Sequence, residues 1–80
     1  MSFNVQDWSR KYDQTKREIQ SCRQQERSFT STEQKAVETT LDTLESQLRM
    51  MSSAPMDYQV SSSEVSRRKV LLRNLRTQMA

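Results

Sequence analysis

The fold is decided by residues 61–80, which read SSSEVSRRKVLLRNLRTQMA and predict one amphipathic helix. Ser61 and Glu64 have the spacing of a capping box, in which each side chain accepts a hydrogen bond from a first-turn backbone N–H. The apolar residues that recur at helical spacing on one face are Val65, Leu72, Leu75 and Met79. Because a helix of about 20 residues gains most of its stability from packing, the rest of the chain must cover this face.

Two further amphipathic helices are predicted before it, over residues 4–27 and 31–52. Thr30 and Glu33 form a second capping box between them, so the chain is expected to reverse there. The first helix has a heptad stripe that is polar at two positions and consists of Val5, Trp8, Tyr12, Thr15, Ile19, Cys22, Glu26 and Phe29. The second helix has a fully apolar stripe that consists of Val37, Leu41, Leu44, Leu48 and Met51.

The segment 52–60 is expected to form the loop between the second and third helices. Pro55 lacks a backbone N–H and disfavours helical geometry at Ala54, which argues against one continuous helix. The apolar residues of this loop are expected to fold back over the end of the helices, and they are Met56, Tyr58 and Val60. The methionines near the helix ends are expected to fill gaps in the core, and they are Met50, Met51, Met56 and Met79.

The sequence therefore predicts an all-α fold, an antiparallel up-down-up three-helix bundle that forms a single domain over residues 1–80. One long coiled coil is the alternative, against which Pro55 and the internal caps argue. The predicted core consists of Trp8, Tyr12, Ile19, Cys22, Val37, Leu41, Leu44, Leu48, Val65, Leu72, Leu75 and Met79. Trp8 and Tyr12 are interpreted as core residues, with an exposed patch that includes Phe3 and Val5 as the alternative.

The composition excludes several classes of site. There is no glycine for a phosphate-binding loop and no histidine for acid–base catalysis, and one cysteine is too few for a Cys/His zinc site. Cys22 is interpreted as a small buried apolar residue and not as a redox sensor. We therefore expect no enzymatic activity, no cofactor and no small-molecule substrate. No run approaches the length needed to cross a bilayer, so we expect these residues themselves to be soluble.

The net charge of +3 is distributed unevenly, with an acidic second helix and a basic third helix. This complementarity favours the two helices lying side by side. The candidate partner surface consists of Glu38, Asp42, Glu45, Arg67, Arg73 and Arg76. The acidic members are interpreted as solvated charge and not as catalytic groups.

The third helix carries a basic cluster that consists of Arg67, Arg68, Lys69, Arg73 and Arg76. Such a cluster is compatible with nucleic acid or anionic lipid. A solvated face partly paired with the acidic helix is favoured, because no aromatic residues alternate with the basic ones to stack on bases. Arg68 is expected to cover the core with its stem while its guanidinium stays in water.

The order and spacing of residues 41–69 resemble the N-terminal domain of the syntaxin-6-like SNAREs, which are Qc SNAREs. Residues 41–48, LDTLESQL, resemble the second-helix pattern of that family, and Pro55 stands where the family has a proline. Residues 64–69, EVSRRK, resemble its Glu-Leu-Ser-x-Arg-Lys sequence. The first helix resembles the family only in being amphipathic.

The resemblance implies a three-helix domain of the Habc kind, preceding a SNARE motif and a membrane anchor that these residues do not contain. It implies a regulatory or recruiting role in vesicle fusion at the cytosolic face of Golgi, trans-Golgi or endosomal membranes. The implied partners are other SNAREs, vesicle tethering factors or the protein's own SNARE motif. The alternatives are a small basic helical module that binds nucleic acid or anionic membrane, and a coiled-coil assembly subunit.

Overall fold

The computed structural model describes residues 4–26 and 28–79, and all the regular structure within these ranges is helical. The all-α class is therefore confirmed. The helices are α1 (Val5–Gln24), α2 (Ser31–Ser53), α3 (Pro55–Tyr58) and α4 (Ser62–Met79). No helix in the described part of the chain combines the length and the apolar character needed to cross a bilayer. Phe3 and Ala80, which belonged to the predicted aromatic patch and the predicted third helix, lie outside the described residues.

The first turns of the long helices are capped by side chains. Asn4 accepts a hydrogen bond from the backbone N–H of Gln6 at 2.7 Å and begins α1. At the start of α2 both halves of the predicted capping box are present, since Thr30 accepts from the N–H of Glu33 and the Glu33 carboxylate accepts from the N–H of Thr30. These caps fix where the chain enters α1 and α2.

The cap of α4 differs from the prediction in its second half. The Ser61 hydroxyl accepts from the N–H of Glu64 at 3.1 Å, as the pattern predicts. The Glu64 carboxylate, however, accepts from Arg67 and Arg68 instead of reaching back to the backbone. Two guanidinium groups one turn away are stronger donors to a carboxylate than one peptide N–H, because their hydrogen bonds are charge-assisted.

The segment between α2 and α4 is more helical than expected, which corrects the prediction of a loop. α2 continues to Ser53, and Pro55 begins the short α3, where a missing N–H costs no hydrogen bond. Tyr58 and Val60 are partly buried against the core, as predicted, whereas Met56 is 89% exposed. The prediction that Met56 folds back was wrong, because it lies on the outer side of α3.

The first helix is shorter than predicted. α1 ends at Gln24 and not at residue 27, because Glu26 adopts a left-handed backbone conformation with φ 53° that ends the helical path. Glu26 is exposed, so the heptad stripe does not continue through it. Thr15, the other polar position of the stripe, is buried and donates its hydroxyl hydrogen bond to the carbonyl of Lys11 at 2.8 Å.

The long helices α1, α2 and α4 share one hydrophobic core. The structure buries every residue of the predicted core except Met79, which is partly buried at the edge. Met51 is also fully buried, whereas Met50 is exposed and does not fill a gap as predicted. The interior of the core consists of Trp8, Ile19, Cys22, Leu41, Leu44, Leu48, Met51 and Leu75.

Candidate functional site

A cluster of aromatic and charged side chains holds α1 against its two long neighbours. The indole Nε1 of Trp8 donates a buried hydrogen bond to the carbonyl oxygen of Leu44 at 3.0 Å, which joins α1 to α2. Tyr12 stacks on Trp8 with ring centroids 5.4 Å apart and planes 5° from parallel. Arg68 of α4 also lies over the Trp8 ring, with its guanidinium carbon 5.0 Å from the ring centroid.

Arg68 is buried, which corrects the expectation that its guanidinium stays in water. The residue is 8% exposed. Its Nε donates to Glu64 at 2.9 Å and its Nη1 donates to the carbonyl oxygen of Val5 at 3.2 Å. The indole face, the carboxylate and the backbone carbonyl together compensate the lost hydration of the charge. Its spacing of four residues from Glu64 is the sequence signal that indicates this pairing.

The same cluster determines the charge state of Glu64. Hydrogen bonds from Arg67 and then from Arg68 lower the pKa of this carboxyl from 4.5 to about 2. Burial raises the pKa of Tyr12, and the charge of Asp13 adds to this, while Arg67 opposes it.

A groove of about 390 Å³ lies between α2 and α4 and is the candidate site. Leu48 and Leu72 form its floor, and charged side chains form its rim. We call it the α2–α4 groove, and its lining consists of Glu45, Leu48, Arg49, Lys69, Leu72, Arg73 and Arg76. Its position follows from the sequence, since these residues flank the two apolar stripes that meet in the core.

Ion pairs across this groove hold α2 and α4 side by side. Arg76 donates to Asp42 at 2.8 Å and to Glu45 at 3.0 Å. The hydrogen bond that Arg76 donates to Asp42 is the largest of the contacts that raise the pKa of Arg76, while partial burial opposes them. Arg49 lies 3.6 Å from Glu45 on the same helix. The charge complementarity predicted from the sequence is therefore realised by specific pairs.

The structure brings together some of the predicted partner surface and separates the rest. Arg76 pairs with Asp42 and Glu45 at one end of the α2–α4 groove, and Arg73 lines the groove about one turn of α4 away. Glu38 is exposed on α2 and accepts a hydrogen bond from Gln34 at 3.3 Å. Arg67 pairs with Glu64 at the opposite side of α4 and does not line the groove.

Sequence reasoning omitted Arg49 and Lys69 from the partner surface, although both line the groove. Arg49 follows Glu45 by four residues, and Lys69 precedes Arg73 by four, so each shares a helix face with a predicted residue. This spacing is the signal that identifies them. Leu48 and Leu72 were predicted to be core residues, and both are buried. The prediction did not include their second role, which is to line the floor of the groove.

A second groove of about 620 Å³ lies between α1 and α2. Its lining is of mixed charge and consists of Arg17, Glu18, Ser21, Phe29, Glu33, Ala36, Val37 and Thr40. Among residues 4–26 and 28–79, no group of three or more His, Cys, Asp or Glu side chains is close enough to hold a metal ion.

No protein-family model matches this chain, and no curated protein or solved structure matches it significantly. A functional assignment therefore rests on the groove geometry and on the sequence pattern of residues 41–69.

Proposed function

We propose that this chain is a non-enzymatic interaction domain, the N-terminal regulatory domain of a Qc-type SNARE in intracellular vesicle fusion. The observation that carries the proposal is the α2–α4 groove, with its apolar floor and charged rim. A groove between two helices of this kind receives the apolar face of an amphipathic helix. The pattern of residues 41–69 supports the assignment to the SNARE class.

In this proposal α1, α2 and α4 form an antiparallel up-down-up bundle of the Habc kind. Trp8, near the start of α1, meets Leu44 in the second half of α2, which supports an antiparallel pair. Gln78 and Met79, at the end of α4, line one pocket together with Gln34 near the start of α2, which supports a second antiparallel pair. The hydrogen bond between Val5 and Arg68 supports the closing contact between α1 and α4.

The proposed mechanism is recruitment through a fourth helix. A helical segment of a vesicle tethering factor or of a partner SNARE lies in the α2–α4 groove above Leu48 and Leu72, and its flanking side chains meet the charged rim. The full-length protein is held at the cytosolic face of Golgi, trans-Golgi or endosomal membranes by its own anchor. Recruitment at that surface brings the fusion machinery to the vesicle.

Binding of nucleic acid or anionic membrane through the whole basic cluster is a weaker candidate. Arg67, Arg68 and Arg76 are each paired with carboxylates within the chain. A paired cation releases little free energy when it meets a phosphate, because the existing ion pair must first be broken. The described geometry therefore favours a protein partner.

The proposal is tested by affinity capture from Golgi and endosomal membrane extracts, followed by identification of bound SNAREs and tethering subunits by mass spectrometry. The double variant Arg73→Ala/Lys69→Ala should lose the captured SNARE or tether while its circular dichroism stays unchanged. The matched control is Lys11→Ala/Lys35→Ala, which removes the same charge at exposed positions outside the groove. Capture of no SNARE or tethering subunit, or equal capture by the groove variant, would overturn the proposal.

A further inference from the structure

We propose that the α2–α4 groove selects an acidic amphipathic helix, an inference that rests on the proposed function and names the chemistry of the partner. The rim of the groove carries four basic side chains and one acidic side chain, which are Arg49, Lys69, Arg73, Arg76 and Glu45. The groove is therefore basic, although it borders the acidic helix of the domain.

The basic side chains of the rim are not equally available to a partner. Arg76 is engaged by Asp42 and Glu45. Arg49 is 73% exposed and shares Glu45 with Arg76, at the longer distance of 3.6 Å. Lys69 and Arg73 are exposed, and neither makes an ion pair with another described residue. The positive charge of Lys69 and Arg73 is thus not balanced by a carboxylate, and it lies at the end of the groove that these residues and Arg49 border.

The spacing of these cations matches a helix. Lys69 and Arg73 are four residues apart on α4, so they stand about 6 Å apart along its axis. A partner helix with Asp or Glu at positions i and i+4 presents carboxylates at the same interval. Arg49 stands on the opposite wall and meets an acidic residue on the other edge of the partner's apolar stripe.

The floor of the groove cannot select the partner by itself. Leu48 is 2% exposed and Leu72 is 4% exposed, so little apolar surface remains to be covered by a bound helix. The discrimination among amphipathic helices must therefore come from the charged rim, which sets both the association rate and the rejection of like charges.

The two ends of the groove differ in sign, which gives the bound helix a direction. Beyond Arg76 the groove opens toward Asp42, which is 72% exposed, and toward the exposed Glu38. An acidic residue of the partner is favoured near Lys69 and Arg73 and disfavoured near Asp42. A uniformly anionic surface such as a membrane would place negative charge against both ends, so the pattern favours a helix.

The groove between α1 and α2 lacks this bias. The charged residues that line the α1–α2 groove are Arg17, Glu18 and Glu33, so its acidic groups outnumber its basic group. Acid selection is therefore expected of the α2–α4 groove and not of the α1–α2 groove.

The test is a displayed library of helical peptides of about 20 residues, selected for binding to the whole chain. Every member has the same apolar stripe, and the flanking positions vary among Glu, Gln and Lys. We expect selected peptides to be enriched in Glu at positions four residues apart. We expect their affinity to fall about tenfold or more for Lys69→Glu/Arg73→Glu and also for Arg49→Glu, which changes the opposite wall.

The control Lys11→Glu/Lys35→Glu changes the net charge equally and should bind the selected peptides within about twofold of the wild type, because screening weakens distant charges. Selection of Lys-rich or charge-indifferent helices whose binding still maps to the groove would overturn acid selection and leave the proposed function standing. Selection of no helix would overturn both. Binding to phosphatidylserine vesicles in place of any peptide would also overturn the inference, and it would point to a membrane surface.

Discussion

The guanidinium of Arg68 covers the face of Trp8 at 5.0 Å and thereby joins α4 to α1. The same guanidinium bonds to the carbonyl oxygen of Val5 and to Glu64, while the indole bonds to Leu44 of α2. Two side chains therefore connect all three long helices through polar contacts beside the hydrophobic core.

Replacing Arg68 with Met should destabilise the domain by about 2 kcal/mol, because the cation–π contact and the charge-assisted hydrogen bonds are lost while the apolar stem is kept. Urea denaturation followed by circular dichroism measures the change. The control is Arg73→Met, at an exposed side chain of α4 that makes no ion pair with another described residue, and its unfolding midpoint should remain near that of the wild type. An Arg68→Met protein as stable as the wild type would mean that desolvation of the guanidinium cancels its contacts.

Trp8→Phe should also destabilise the domain by about 2 kcal/mol. The substitution removes the donor to Leu44 and leaves a small cavity where the larger indole was packed. Tyr12→Phe is the matched control, since it keeps the stacked ring and removes only a hydroxyl, and thermal unfolding should distinguish the two variants. Equal losses for both variants would contradict a specific role of the indole N–H.

The dependence of stability on pH should reveal the charge of Glu64. Its pKa is lowered to about 2 in the folded state from the usual 4.5, so its contribution is fully present above pH 4.5 and is lost as the pH falls toward 2. Urea titrations across this range should therefore show a steeper loss of stability for the wild type than for Glu64→Gln. Parallel curves for the two proteins would show that the arginine pairs do not hold this carboxylate ionised.

The pair of Arg76 and Asp42 should contribute only modestly to stability. Asp42 is 72% exposed and Arg76 is 37% exposed, so water screens the interaction. A double-mutant cycle with Arg76→Ala and Asp42→Asn should give a coupling energy of about 0.2–1 kcal/mol that decreases with added salt. A larger coupling that is insensitive to salt would require a drier interface between α2 and α4 than the structure shows.

The hydrophobic pattern was sufficient to predict the helical class and the positions of the long helices. Leu41, Leu44 and Leu48 are spaced by three and four residues, so a helix places all of them on one face, and burying that face buries all three. Thr30 and Glu33 marked the start of α2, since each satisfies a backbone N–H that has no partner within the helix.

The helix ends and the connection could not be predicted in the same way. Glu26 and Gln59 adopt left-handed conformations, with φ of 53° and 52°, in a chain that has no glycine to mark such positions. Ser53 remains helical and Pro55 starts a new helix, because a proline at the first position of a helix is tolerated. Neither outcome has a signal in hydrophobic periodicity.

The sequence predicted the ion-paired helices of the candidate site but not the burial of Arg68. Complementary charge predicted that the second and third long helices lie side by side, and the structure adds the specific pairs of Arg76 with Asp42 and Glu45. The burial of Arg68 was not predicted, because a charged residue one step from an apolar stripe is equally compatible with a solvated head. Its actual position depends on Val5 and Trp8, which are distant in sequence.

Trp8 is the only tryptophan of the chain, and it lies where α1 meets α2 and α4. Its intrinsic fluorescence is therefore a spectroscopic probe of how cooperatively the domain unfolds, since separation of any one long helix from the others changes the surroundings of the indole. The α2–α4 groove is lined by other residues, among them Leu48 and Leu72. Emission from this one fluorophore thus distinguishes a ligand that occupies the groove from one that pulls the helices apart.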